Sequence, residues 1–135
     1  MARILTIELR TDPAAVRLVR KLLAAVARIE GAADLEAHLV EVAVGEALAR
    51  GSIGTNCGSS TVAVAVELSG GRIIVSIAEE RADTLRRAHV SGDDADDGAL
   101  GWGLYVIAQV MDEVEVRRPV KRGRTPELRL VKRIG

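Results

Sequence analysis

Phenylalanine is absent from the chain, and tryptophan and tyrosine occur once each. The core must therefore be assembled from Val, Leu, Ile and Ala. Stacking platforms for single-stranded nucleic acid need a set of exposed aromatics, which this chain cannot supply. Charge of one sign is lacking too: 19 Lys plus Arg balance 19 Asp plus Glu, for a formal net charge of +0. No global field draws the chain to nucleic acid or to an anionic membrane. No uninterrupted apolar run approaches the roughly 20 residues of a membrane span. The opening MARILTIELR lacks the long apolar core of a signal peptide. Together these features point to a cytoplasmic location with neither nucleic acid nor membrane as partner. The single cysteine, Cys57, excludes an internal disulfide framework and fits a reducing cytosol. No basic or histidine neighbour stands close to it in sequence to activate the thiol. His38 and His89 have no Cys, His or paired acid at metal-ligand spacing, so no metal-ligating residue is assigned.

What is present is 135 residues with 48% hydrophobic and 28% charged residues. That suits one globular domain spanning residues 1–135. RILTIEL alternates Ile4 and Thr6 against Leu5 and Ile7 and reads as a strand. In TDPAAVRLVRKLLAAVARI, Asp12 is placed to cap and Pro13 suits the first helical position. Val16, Val19, Leu22, Leu23 and Val26 recur there at helical spacing. EGAAD breaks the chain. A second helix is expected from an N-cap at Asp34 to about Arg50, followed by the loop GSIGTNCGSS. TVAVAVEL, SGG and RIIVSIAE read as a hairpin with a glycine turn. Residues 81–99 are polar and carry SGDDADDG. GWGLYVIAQVMDEV starts with glycines and becomes a helix, with Val106, Ile107, Val110 and Val114 as core positions. EVEVRRP and PELRLVKRI close the chain as two strands, the last read as solvent-facing, with Lys and Arg blocking edge pairing. The expected fold class is α/β (α+β): a two-layer sandwich with helices on one face of a mostly antiparallel sheet.

On the second helix, Leu35, Leu39, Val42, Glu46 and Ala49 fall on one stripe. A carboxylate there would face the sheet or a pocket beneath it. Burying an unpaired charge costs several kcal/mol, to order of magnitude, so Glu46 needs water, a partner or a ligand. Arg50, four residues on, is a ready partner in the favourable order. One reading of the pair is an intrahelical ion pair. The other is a general base beside a cation able to grip phosphate bidentately. In DDADDG, an EF-hand register with Gly98 at the sixth position puts Asp93 and Asp97 at positions one and five. Ala95 and Leu104 then fail positions three and twelve. Gly98, Gly101 and Gly103 precede a helix, where free backbone N–H groups suit a phosphate.

Three of these segments resemble the histidine-kinase-like (Bergerat, or GHKL) ATPases, and among them the anti-sigma-factor serine kinases. VAVGEALARGSIG is similar to the helix that carries a Glu and, four residues later, an Asn. GRIIVSIAEERAD falls where the family has a strand ending in D-x-G-x-G. GWGLYVIAQVMDEVEV resembles the G-x-G-L glycine box and its helix, and TPELRLVKR resembles the last strand. The resemblance implies a Bergerat-type fold, ATP and Mg²⁺ as cofactors, and transfer of a phosphoryl group to a protein serine. Glu46 would be the catalytic base. Arg50 stands where the family has the Mg²⁺-binding Asn. Glu79 would take the place of the adenine-binding Asp, with Arg81 and Asp83 in place of two glycines. Gly101, Gly103 and Leu104 match the glycine box, with Trp102 between its glycines, and Thr125 falls near the last-strand Thr. The implied partners are a STAS-type anti-sigma-factor antagonist, a sigma factor, or both, with a possible homodimer. The alternatives are a non-catalytic partner-binding module of the same fold that has lost Mg-ATP binding, and a stand-alone switch kinase.

Overall fold

The computed structural model describes residues 3–10, 12–55, 61–79, 105–117 and 127–135, and their side chains except those of residues 3, 50–55 and 79. Strand β1 (Arg3–Arg10) leads into helices α1 (Pro13–Ile29) and α2 (Asp34–Thr55). Strands β2 (Thr61–Ser69) and β3 (Arg72–Glu79) follow, then β4 (Glu113–Arg117) and β5 (Glu127–Arg133). Residues 105–110 are helical. The strands form a five-stranded sheet in the order β1-β2-β3-β5-β4. Every neighbouring pair is antiparallel.

Local chemistry accounts for the ends of these elements. Asp12 has extended backbone and accepts a 2.8 Å hydrogen bond from the Ala15 N–H, while Pro13 opens α1 without needing a donor. The β2–β3 turn is Gly70-Gly71, at φ +57° and +74°. Both central residues of a two-residue hairpin turn of this kind need positive φ, which glycine adopts without penalty. At α2 the structure corrects the expected cap. Asp34 is already the first helical residue, and Glu36 reaches back to accept from the Ala33 N–H at 2.8 Å. That is the returning half of a capping box. The same Glu36 oxygen accepts from the Gly135 N–H at 3.4 Å, tying the chain end to the start of α2. Asp34 instead pairs with Arg28 at 3.2 Å. α2 also continues past Arg50 to Thr55, through GSIGT, where the glycines suggested a loop.

The register sorts side chains onto two faces. Leu9, Val62, Val64, Val66, Ile73, Val75, Ile77 and Leu130 stand on the helix side and join one core with Val19, Leu23, Ala27, Val40, Val44, Leu48, Ile107 and Met111. Each fully buried Val, Leu or Ile there stabilises the fold by about 1.5–3 kcal/mol. Two expectations about the C-terminal part change. Val114 belongs to β4 rather than to the helix, which ends before Met111. β5 is not an edge strand: it lies between β3 and β4, with Leu130 and Val131 buried. Val131 lies on the sheet face away from the helices, opposite its buried register partner Ile74. Asp112 makes the join from helix to β4. Its N–H donates to the Val131 carbonyl at 2.9 Å and its carboxylate accepts from the Arg133 N–H at 2.6 Å.

Candidate functional site

The candidate site is built on α2. The residues of α2 that enter the core are Ala37, Val40, Ala43, Val44 and Leu48. At ~100° per residue, the stripe of Leu35, Leu39, Val42, Glu46 and Ala49 lies on nearly the opposite side. Leu35 is 67% exposed. Of the two places expected for Glu46, the side toward the sheet is taken by those core residues, and Glu46 itself sits half-buried on the other side of α2. α2 is apolar on almost every side, as in a helix covered on more than one face. Glu46 is not left unpartnered there. A carboxylate in this position is shielded yet remains within reach of water or a ligand.

The residue before it explains how close α1 comes. Gly45 has no side chain, and a Cβ built on it would fall 2.6 Å from Cδ of Arg20 on α1 and 3.3 Å from its Nη1. The Arg20 stem therefore lies directly on the backbone turn that carries Glu46. Nε of Arg20 is buried without a hydrogen-bond partner. Sequence reasoning did not single out this contact, because neither a glycine inside an apolar helix nor an arginine among four α1 cations marks it.

Arg50 follows on α2, so Glu46 and Arg50 occupy the i and i+4 positions of one continuous helix. Its side chain lies outside the described residues. Glu79 ends β3, with its backbone in register with Val62, and its side chain is likewise outside the description. Asp83, Gly101, Gly103, Leu104 and Thr125 lie outside the described residues, as do the acidic run at 93–97, Cys57 and His89. His38 is exposed on α2. Among the described residues no three His, Cys, Asp or Glu side chains gather as a metal would require. No helix among them is long and apolar enough to cross a membrane.

The donor set discriminates between the implied cofactors. Arg50 has no lone pair and carries a fixed positive charge, so it does not fit as a Mg²⁺ ligand. The same guanidinium does fit a phosphate, which it can grip with two parallel hydrogen bonds.

The layer of helices on an antiparallel sheet agrees with the comparisons. Residues 9–132 match the histidine kinase-like ATPase domain, and the chain belongs to that family. Among solved structures it is similar to the RsbU and RsbW domains of Rv1364c from Mycobacterium tuberculosis, with a TM-score of 0.66 and 17% identity. The match covers 98% of this chain and 32% of that one, so the chain spans about a third of that relative. At this identity the likeness is one of fold. No curated protein matches the sequence.

Proposed function

We propose that the chain is an anti-sigma-factor-type regulator that works in a partner-switching system in the cytoplasm. In this reading it binds ATP and phosphorylates a serine of a STAS-type antagonist, and holds a sigma factor when the antagonist is unavailable. The observation that carries the reading is the place of Glu46: on the turn of α2 away from the core, half-buried, with Arg50 one turn on. The family membership and the RsbW title of the similar structure support it.

ATP, when bound, supplies the phosphoryl group. Glu46 takes the proton of the target seryl hydroxyl as that oxygen forms its bond to phosphorus, and the bond to the departing diphosphate breaks with its electron pair. Arg50 offsets negative charge on the phosphates. No step runs through Mg²⁺, because Arg50 replaces its donor. Gly101, Gly103 and Leu104 would close on the phosphates, and Glu79, Asp83 and Thr125 would border the base. A homodimer is compatible with the reading.

Arg50 also favours a second reading. A helix that has exchanged a metal donor for a cation suits a non-catalytic module that holds its partner without nucleotide. Incubation with radiolabelled ATP and a purified STAS-type antagonist separates the two. Label on the antagonist that disappears with Glu46→Gln supports the kinase. Stable antagonist or sigma binding with neither label nor nucleotide dependence supports the module.

A further inference from the structure

Helix α1, PAAVRLVRKLLAAVARI, contains four cations and no acid, in a chain whose formal net charge is +0. Its inner side is accounted for: Val19, Leu23, Ala24 and Ala27 are buried in the core. Its outer side is not. Leu18 is 69% exposed, Leu22 39% and Ile29 76%, and Ala25 is exposed with them. These four positions run i, i+4, i+7 and i+11, a continuous apolar row on one helix face. Beside it runs a second row, Arg17, Lys21 and Arg28, all exposed. Arg28 pairs with Asp34, whose side chain is 94% exposed. Arg17 and Lys21 form no ion pair among the described residues.

From this juxtaposition we infer that the outer face of α1 docks an acidic amphipathic helix of a partner protein. The apolar row accepts the leucine or isoleucine stripe of an incoming helix at the same spacing, which is helix-on-helix recognition. The basic row selects its neighbours: carboxylates beside that stripe meet Arg17 and Lys21, which steers encounter and fixes register. A second copy of this chain fits poorly, since α1 against α1 would bring Arg17 and Lys21 against cations, and the acid beside this row, Asp34, is already paired with Arg28. A membrane fits less well. The inner half of α1 is committed to the core, leaving three exposed large aliphatic side chains and no exposed aromatic on α1 to enter a bilayer surface. The face is made of α1 residues alone and includes none of the residues assigned to the nucleotide, so it stands apart from the kinase reading.

The test uses the whole chain and a pair of fluorescein-labelled synthetic helices. Each carries Leu at i, i+4, i+7 and i+11; one has Glu at the flanking positions and the other Lys. The acidic helix should raise anisotropy with micromolar affinity, weakening as salt rises to 0.5 M, while the Lys helix should not bind. Arg17→Glu with Lys21→Glu, both at exposed positions, should cost the acidic helix at least about tenfold in affinity and make the Lys helix bind. Leu18→Ser should weaken binding without reversing the preference. Methyl chemical-shift changes should centre on Leu18 and Leu22. The inference is overturned if neither helix binds at millimolar concentration, if both bind equally, or if the shifts centre elsewhere. It is also overturned if phosphatidylglycerol vesicles bind through Leu18 and Lys21 while the acidic helix does not, or if sedimentation shows a dimer that Leu18→Ser dissociates.

Discussion

Replacing Gly45 by alanine probes the contact that sets α1 against the turn carrying Glu46. A new Cβ would lie 2.6 Å from Cδ of Arg20, in the middle of that side chain rather than at its tip, so the whole stem must swing away. Two effects oppose each other. Alanine is favoured over glycine inside a helix by about 0.8–1 kcal/mol. Overpacking a filled contact costs about 1–3 kcal/mol, partly offset when the buried Nε of Arg20 reaches water. The expected net is a loss of about 1 kcal/mol for Gly45→Ala in the wild-type background. In an Arg20→Ala background the obstacle is gone, and the same substitution should gain about 1 kcal/mol. The sign therefore reverses, with a coupling of about 2 kcal/mol across the double-mutant cycle. Urea unfolding followed by far-ultraviolet circular dichroism reads it directly, provided the slope against urea is unchanged among the four proteins. The same effect of Gly45→Ala in both backgrounds would refute the claim that Arg20 packs on the Gly45 turn.

Other substitutions test other parts of the structure. Asp12→Ala removes the acceptor of the Ala15 N–H and should cost about 1 kcal/mol in urea unfolding, whereas Asp12→Asn should keep most of it. Gly70→Ala places a side chain at φ +57° and should cost about 1–2 kcal/mol, while Gly70→Asn should cost less. Leu130→Ala, at a fully buried position of an interior strand, should cost about 2–5 kcal/mol; a loss below 1 kcal/mol would place β5 at an edge after all. Glu46→Gln should leave nucleotide affinity within about threefold while abolishing phosphoryl transfer, since it removes the proton acceptor and keeps the shape.

The sequence was most informative where local chemistry decides the structure. Asp12-Pro13 and the valines and leucines after them define α1 without tertiary help, and Gly70-Gly71 between two alternating runs defines the hairpin. It misled where a decision depends on what lies across the core. α2 is apolar nearly all round, so its periodicity does not say which side enters the core; the stripe chosen from it, with Glu46 included, proved to be the outward one. Gly51 and Gly54 suggested a loop, yet α2 continues through them. β5, with Arg129, Lys132 and Arg133, has the composition of an edge strand, but β4 pairs along its far side and takes the edge. That strand order is set by long-range pairing that no local pattern encodes. The candidate site was legible as a motif and not as a geometry. Glu46 and Arg50 follow from helical spacing, whereas the close approach of Arg20 over Gly45 emerges only when two helices are packed together.

In the proposed function the α2 site takes a nucleotide with Arg50 in the place of the metal donor. Calorimetric titration with ATP, with Mg²⁺ and then with EDTA, tests it most directly. Binding should persist in EDTA and fall at least about tenfold in Arg50→Ala, as expected for loss of a charge-assisted phosphate contact. No binding at millimolar ATP would contradict it, as would binding that requires Mg²⁺ and is indifferent to Arg50.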